Sequence, residues 1–377
     1  MKKILIIYSE YTGHGHKSAN EALVNAFNKI YGDNITCKSV NGFKLGSPHF
    51  RVTEKLYNSC VKYLPDIWGK FFLLSNTNPA TLNKIISIDI ERKFLKLIEK
   101  YQPDLILSVH PLFNGSILNI LEKNKLNIKM YSLLTDLVSV TNIWLDNRAD
   151  RIISPSNEAT EFIIENNIDK DKIATFGIPV RDHFKSPFDN LEDIRKNTNI
   201  NGKLRVLILN NTEKSKRIFY MIKKLHEKYD CDVTVVCGRN KNNYKKLKSR
   251  LKHYQREVNV IGYTKELFKL FYDNDILITR CGSLSIVEAI NCIIPIISMG
   301  ALPGQEEGTP MYLEKNGMGY STSSTDDIFN KIDLLIANNR EGLVKMREAQ
   351  FNYYGRNVTD KIVKYIADDI LGNEVKN

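Results

Sequence analysis

Residues 1–23, MKKILIIYSEYTGHGHKSANEAL, hold the reading that decides the fold. Residues 3–8 are an almost wholly apolar run, the pattern of a strand covered on both faces of a parallel sheet. Further on, Ala19, Leu23, Ala26, Phe27 and Ile30 recur at helical spacing. Between the two lies a loop with glycines at 13 and 15 and histidines at 14 and 16.

The same strand-then-helix pattern repeats outward from this start. Apolar runs at 104–109, 128–133, 150–154 and 172–176 continue a first series. Runs at 204–209, 232–237, 258–261, 275–279 and 293–297 make a second. The series breaks over 178–203, which is polar and contains prolines. The expected architecture is α/β, with two Rossmann-like domains facing across a cleft and sites at the carboxyl ends of the strands. The boundaries read as 1–180, a linker over 181–203, and 204–353. A last helix over 354–371 is placed to pack back on the first domain.

A chain of 377 residues, 42% hydrophobic and 26% charged, fits two globular domains rather than one core or a disordered chain. The N-terminal apolar run is too short for a signal segment, and no run approaches the ~20 apolar residues of a membrane span. The expectation is a cytoplasmic protein, soluble or peripheral. Six scattered cysteines, with no CxxC pair, argue against structural zinc or a disulfide framework. A net charge of +11 points to an anionic partner, with nucleic acid and an anionic membrane as candidates beside the plain solubility of a lysine-rich chain, and composition alone does not choose among them.

Three segments could carry chemistry. In the first, Gly13 and Gly15 let the loop turn sharply, and His16 stands where a helix begins, with a side chain suited to taking a proton from a hydroxyl. In the second, Thr279-Arg280-Cys281-Gly282-Ser283-Leu284 runs from a strand into a helix whose first turn can hold a diphosphate. Glu288 in that helix could accept hydrogen bonds from ribose hydroxyls. In the third, a Pro303-Gly304 turn presents Gln305 and Glu306, amide and carboxylate chemistry suited to sugar hydroxyls. Asp169-Lys170-Asp171 and Asp273-Asn274-Asp275 match the D-x-D pattern of metal-dependent transferases but sit outside the donor loop, so no metal is expected. The segment 51–75 interleaves aromatics, Trp68 and Phe72 among them, with lysines. Core packing and contact with an anionic lipid surface both fit it. A lysine-rich stretch over 214–256 reads as a solvated face or an added membrane contact.

Taken in order, these segments resemble the monogalactosyldiacylglycerol synthase and processive diacylglycerol glucosyltransferase group, related to MurG. The resemblance also covers residues 108–112 (SVHPL, with His110), 135–137 (TDL), Trp144, 155–156, 176–181 (FGIPVR), 237–240 (CGRN), Gly262-Tyr263 and 316–319. It implies a GT-B fold and a UDP-sugar donor, with the base near Gly262 and Tyr263, the ribose at Glu288 and the diphosphate at Arg280, Gly282, Ser283 and Leu284. Gln305 and Glu306 then face the sugar. The acceptor is a diacylglycerol-type lipid entering beside Gly13, Gly15, His110, Trp68 and Phe72, the resemblance favouring an acceptor-lipid role for 51–75, with His16 or Asp136 as base. The reaction inverts the anomeric centre and needs no cofactor besides the donor. Three departures stand out: Asn210-Asn211-Thr212-Glu213-Lys214 replaces the family's glycine-rich loop, Arg280-Cys281-Gly282 replaces Lys-Pro-Gly or Lys-Ala-Gly in the donor loop, and Thr309 replaces the asparagine usual after the GQE stretch. The rival readings are a MurG-like N-acetylglucosaminyl transfer to a polyprenyl-linked acceptor and a UDP-sugar 2-epimerase of the same fold. A nucleic-acid binder would explain only the charge, and no nucleic-acid partner is expected.

Overall fold

The computed structural model describes residues 1–12, 15–63, 76–210, 213–353 and 357–372, with backbone only at 55 and 57–63. The chain divides into two compact units: residues 1–182 with 302–307 and 357–377, and residues 183–301 with 308–356.

The first unit is built on a parallel sheet ordered β2-β1-β3-β4-β5-β6. Its elements are β1 (Lys2–Tyr8), α1 (Gly15–Tyr31), β2 (Ile35–Asn41), α2 (Pro48–Tyr63), α3 (Pro79–Tyr101), β3 (Leu105–Ser108), α4 (Asn114–Lys123), β4 (Lys129–Leu133), β5 (Arg151–Ser154), α5 (Asn157–Glu165) and β6 (Ile173–Thr175). Strand β1 shows why its sequence is apolar on both faces. Ile4 and Ile6 pack with Leu23 and Phe27 of α1, while Leu5 and Ile7 pack with Ile90 and Phe94 of α3 and Ile117 of α4. The chain's last helix (Val358–Leu371) closes the α1 side, where Ile362, Val363 and Ile366 join the cluster around Ile4. Truncating a wholly buried isoleucine such as Ile366 costs about 2–5 kcal/mol.

The second unit repeats the plan with the order β12-β11-β10-β7-β8-β9. It runs α6 (Leu191–Asn197), β7 (Leu204–Leu209), α7 (Ser215–Lys228), β8 (Cys231–Val236), α8 (Lys241–Leu251), β9 (Val258–Ile261), α9 (Leu267–Asp273), β10 (Ile276–Thr279), α10 (Ser283–Asn291), β11 (Ile296–Ser298), α11 (Gly308–Lys315), β12 (Gly319–Tyr320) and α12 (Thr325–Asn352), the last broken at Ala337–Arg340. The helix at 358–371 is then α13.

Several expectations need correction. Residues 181–203 are no spacer: Arg181 and Asp182 stay with the first unit, and from His183 the chain belongs to the second. There α6 forms, capped by the Asn190 side chain, and the Asn199 amide binds Asp275 at 2.9 Å. Residues 302–307 leave the second unit for the first. The strand expected at 293–297 starts later, because Ile293 takes a left-handed conformation (φ 60°) where α10 ends. Two edge strands, β2 and β12, have no counterpart in the sequence reading. Half-exposed edges lack the continuous apolar run by which the central strands declare themselves.

Each sheet reverses its strand order beside its first strand, at β1/β3 in one unit and β7/β10 in the other. Loops at the carboxyl ends of these pairs flank the crevice where open α/β sheets take ligands. They begin at Ser9–Thr12 and Val109–His110 in the first unit, and at Asn210 and Arg280–Gly282 in the second.

Candidate active site

In the first unit the structure brings His16, His110, Asp136 and Gln305 into one region. His16 lies in the first turn of α1 and is buried. Its Nδ1 sits 2.7 Å from the Val109 carbonyl oxygen and 3.0 Å from Thr135 Oγ1. A carbonyl can only accept, so the neutral imidazole carries its proton on Nδ1 and leaves the Nε2 lone pair available. Nε2 has no hydrogen-bond partner among the described residues. Burial pushes the His16 pKa down to about 4, opposed by the bond to Val109, so the ring is neutral at pH 7.

His110 packs against it, with ring centroids 4.4 Å apart. Burial first, and then the neighbouring His16, hold its pKa well below the usual imidazole range. Asp136 is buried, and among the described residues it is Thr135, not Asp136, whose side chain is hydrogen-bonded to His16. One Asp136 oxygen accepts from Trp144 Nε1 at 2.7 Å and the other from Gln305 Nε2 at 3.0 Å. Burial raises its pKa, and these two donors pull against that rise. The Trp144 ring lies 6.3 Å from His16, so Asp136 braces one wall of the imidazole site. Gln305 reaches Asp136 because Gly304, at φ 79°, turns the 302–307 loop in a conformation that favours glycine. Glu306 is committed within the same loop, its Oε2 accepting from the Leu302 amide at 2.8 Å.

In the second unit the structure gathers Arg280, Gly282, Ser283, Leu284 and Glu288 at the end of β10 and the start of α10. Gly282 is the N-cap residue and brings no side chain of its own to cap the helix. The first-turn N–H groups of such a helix suit an anion. Glu288 is buried on the same helix. Gly262 follows β9, and a Cβ built there would meet nothing within 4 Å. Tyr263 is 54% exposed, and the Arg239 guanidinium stands 4.8 Å from its ring centroid. Asn210, at the end of β7, is wholly buried, yet among the described residues neither its Oδ1 nor its Nδ2 has a hydrogen-bond partner.

Gly15 opens α1. Gly13, Trp68 and Phe72 lie outside the described residues, as do Asn211 and Thr212. One aspartate of each D-x-D pattern has other work. Asp169 Oδ1 caps a short turn through the Asp171 amide, and Asp275 is held by Arg205 and Asn199. The sequence alone gives no holding role to the side chains that brace the first-unit loop: Ser9 and Thr12 within it, and Asn41 and Glu54 outside it. Glu54 reads as an ordinary helix carboxylate, and its partners at 9–11 are more than forty residues away.

Comparison with known proteins decides the family. The chain is 30% identical over 365 residues to monogalactosyldiacylglycerol synthase 3, chloroplastic, of Arabidopsis thaliana, covering 92% of this chain and 77% of that one. The chain belongs to the monogalactosyldiacylglycerol synthase family. That family's profile matches residues 16–180, and the glycosyl transferases group 1 profile matches residues 190–358. This family member is therefore a glycosyltransferase. It is also 28% identical over 338 residues to the processive diacylglycerol beta-glucosyltransferase of Staphylococcus saprophyticus, covering 89% of this chain and 84% of that one. Among solved structures, Acinetobacter baumannii MurG superposes with a TM-score of 0.64 at 12% identity, over 98% of this chain and 100% of that one. At that identity the likeness speaks for the fold, which is GT-B.

Proposed function

We propose that this enzyme transfers a hexose from a UDP-sugar to the hydroxyl of a diacylglycerol-type lipid with inversion at the anomeric carbon. The observation that carries this reading is His16: buried at a switch point, neutral, held by Nδ1, with Nε2 open. The acceptor oxygen attacks the anomeric carbon as its proton passes to His16 Nε2. The bond from that carbon to the β-phosphate oxygen breaks, and UDP leaves with the electron pair. The bond from Nδ1–H to Val109 strengthens as the imidazole becomes cationic. Both Asp136 oxygens already accept N–H donors, which supports a bracing role rather than that of base.

The second-unit residues serve the donor. The amides opening α10, with Arg280, take the charge that builds on the leaving diphosphate. Glu288 takes the ribose hydroxyls, and Tyr263 with Gly262 gives the uracil a flat, open seat. Gln305 and Glu306 face the transferred sugar. With Asp169 and Asp275 engaged elsewhere, neither D-x-D pattern offers its full pair of carboxylates to a metal, and the reaction is expected to proceed in chelator.

The acceptor is a membrane lipid, so the enzyme works as a peripheral protein on the inner face of the cell membrane. Among the described residues no helix is long and apolar enough to cross a membrane. Attraction to anionic lipid is supported by the net charge of +11 and by α8, whose Lys241, Lys245, Lys246, Lys248 and Arg250 form no ion pair among the described residues. The test is incubation with UDP-hexoses and diacylglycerol vesicles in chelator, followed by lipid extraction and mass analysis. A hexosyl-diacylglycerol is the expected product. Sugar on a polyprenyl carrier, or an epimerised UDP-sugar formed without lipid, would overturn the reading.

A further inference from the structure

The imidazole pair of the first unit is tied to a carboxylate that no step of the proposed reaction uses. Glu54 projects from α2 and is 4% exposed. Its Oε1 accepts from Ser9 Oγ at 2.7 Å, from the Glu10 and Tyr11 amides at 2.8 and 3.0 Å, and from Asn41 Nδ2 at 3.0 Å. Oε2 also accepts from Asn41 Nδ2, again at 3.0 Å. A carboxylate surrounded by donors has one orienting consequence, which passes along the hydroxyls. Ser9 spends its proton on Glu54, so its oxygen must accept, and it takes the Thr12 amide at 3.1 Å and Thr12 Oγ1 at 2.5 Å. Thr12 has then spent its own proton and can only accept from His110 Nε2, 3.0 Å away. At the far side of the ring, His110 Nδ1 accepts from the Leu112 amide at 3.3 Å. Every bond in this line has a single allowed direction.

We infer that Glu54 is a positioning residue: acting through Ser9 and Thr12, it fixes the His110 proton on Nε2 and keeps that ring neutral and immobile against His16. With both nitrogens engaged, His110 cannot compete for the acceptor's proton, which goes to His16 alone. The inference rests on His16 being the base. It also explains why the loop after β1 is braced from α2, an element far along the chain. A buried carboxylate with this many donors sets geometry more firmly than the loop's own turns could.

The experiment uses the full-length enzyme with 15N-labelled histidine. Imidazole 15N signals report which nitrogen carries the proton, and His110→Gln assigns the His110 pair. The wild type should show His110 protonated on Nε2 and His16 on Nδ1. In Glu54→Gln, and separately in Thr12→Val, the His110 signals should move toward an average of the two tautomers. In both variants kcat should fall on the order of 10²-fold, the scale of a misplaced catalytic group, while KM for the UDP-sugar stays within about twofold, since no donor contact has changed. Thr12→Ser, which keeps the hydroxyl, should restore both signals and rate. Should Glu54→Gln fail to fold, Thr12→Val and Thr12→Ser still carry the test. A folded variant with the wild-type His110 tautomer would overturn the inference, and so would a shifted tautomer with unchanged kcat. His16→Ala keeps the two readings apart: if it turns over normally, the base assignment fails, whatever the His110 signals show.

Discussion

The two switch-point regions of this chain solve opposite problems. In the first unit the polar groups are buried and bound to one another: His16 to Val109 and Thr135, His110 to Thr12 and Leu112, Asp136 to Trp144 and Gln305. In the second unit groups are left for a ligand. The α10 N-cap is a glycine with no side chain to cap the helix, Gly262 faces open space, Tyr263 is mostly exposed, and the buried side-chain amide of Asn210 has no partner among the described residues. Proton transfer needs a base whose tautomer is set before the substrate arrives, and a finished hydrogen-bond network provides that. Binding a diphosphate needs donors whose partners are missing until the ligand supplies them.

The sharpest way to break this contrast is His16→Ala. Removing a general base should cost ~10²–10⁴ in kcat, with UDP affinity unchanged by calorimetry, because the altered group belongs to the proton-handling region. Turnover near wild type would move the base to Asp136 and undo the assignment of roles.

A second expectation follows from burial of the same ring. The folded His16 pKa is about 4, below its ordinary value of 6.5. The unfolded chain therefore binds the proton more readily between those values. Stability from the neutral buried ring is complete above pH 6.5 and is lost as pH falls toward 4, by about 3 kcal/mol. His110 shifts in the same direction and steepens the loss. Denaturant melts at pH 7 and pH 4.5 measure the drop, and His110→Gln should reduce it. An equal drop in the variant would mean that His110 is not neutral in the fold.

How much of this was legible in the sequence depends on distance along the chain. Central strands announced themselves as apolar runs, and the loops after β1 and β10 could be read because each is local: strand, small residues, helix. The edge strand β2, ITCKSVN, could not be read, since it is partly exposed along its middle and carries neither a continuous apolar run nor a clean alternation. His16 was legible as a candidate, but its partner Val109 lies 93 residues away and its packing partner His110 comes from the loop after β3. Glu54 was invisible for the same reason. The exchange of 302–307 into the first unit has no local signal: a Pro-Gly turn predicts that the chain bends, not which unit receives it.

A smaller effect tests the second region. A buried polar group without a partner costs about 1–3 kcal/mol, so Asn210→Leu should hold or raise Tm while weakening UDP-sugar binding. Gly262→Ala adds a methyl where nothing stands within 4 Å and should leave Tm unchanged. Its effect on UDP affinity, expected within about tenfold, then reports a ligand at that spot, because the fold itself has no cause to object. Lowered Tm with normal affinity in both variants would return these residues to the structural background.

The smallest expected effect concerns the membrane, and it asks which region does the docking. Basic residues near an anionic surface contribute about 1 kcal/mol each, and salt screens them. The unpaired cations of α8 would supply that part in the second unit. On α2 in the first unit, Val52 and Leu56 are 52% and 58% exposed one turn apart, and α3 exposes Ile85 and Ile88. Apolar side chains in the headgroup region add attraction that salt does not remove, at most ~1.5–3 kcal/mol for a fully buried Val or Leu. Vesicle co-sedimentation should therefore weaken with ionic strength without vanishing. Val52→Ser with Leu56→Ser should remove part of the salt-resistant remainder, whereas Lys245→Ser with Lys246→Ser should flatten the salt dependence. Both pairs alter exposed positions, so neither should change Tm. If the serine pair on α2 binds like wild type at high salt, the apolar anchor lies elsewhere, and Ile85 with Ile88 is the next pair to replace. If the lysine pair leaves the salt slope untouched, α8 is a solvated face, and the electrostatic share of docking belongs to the unit that handles the proton.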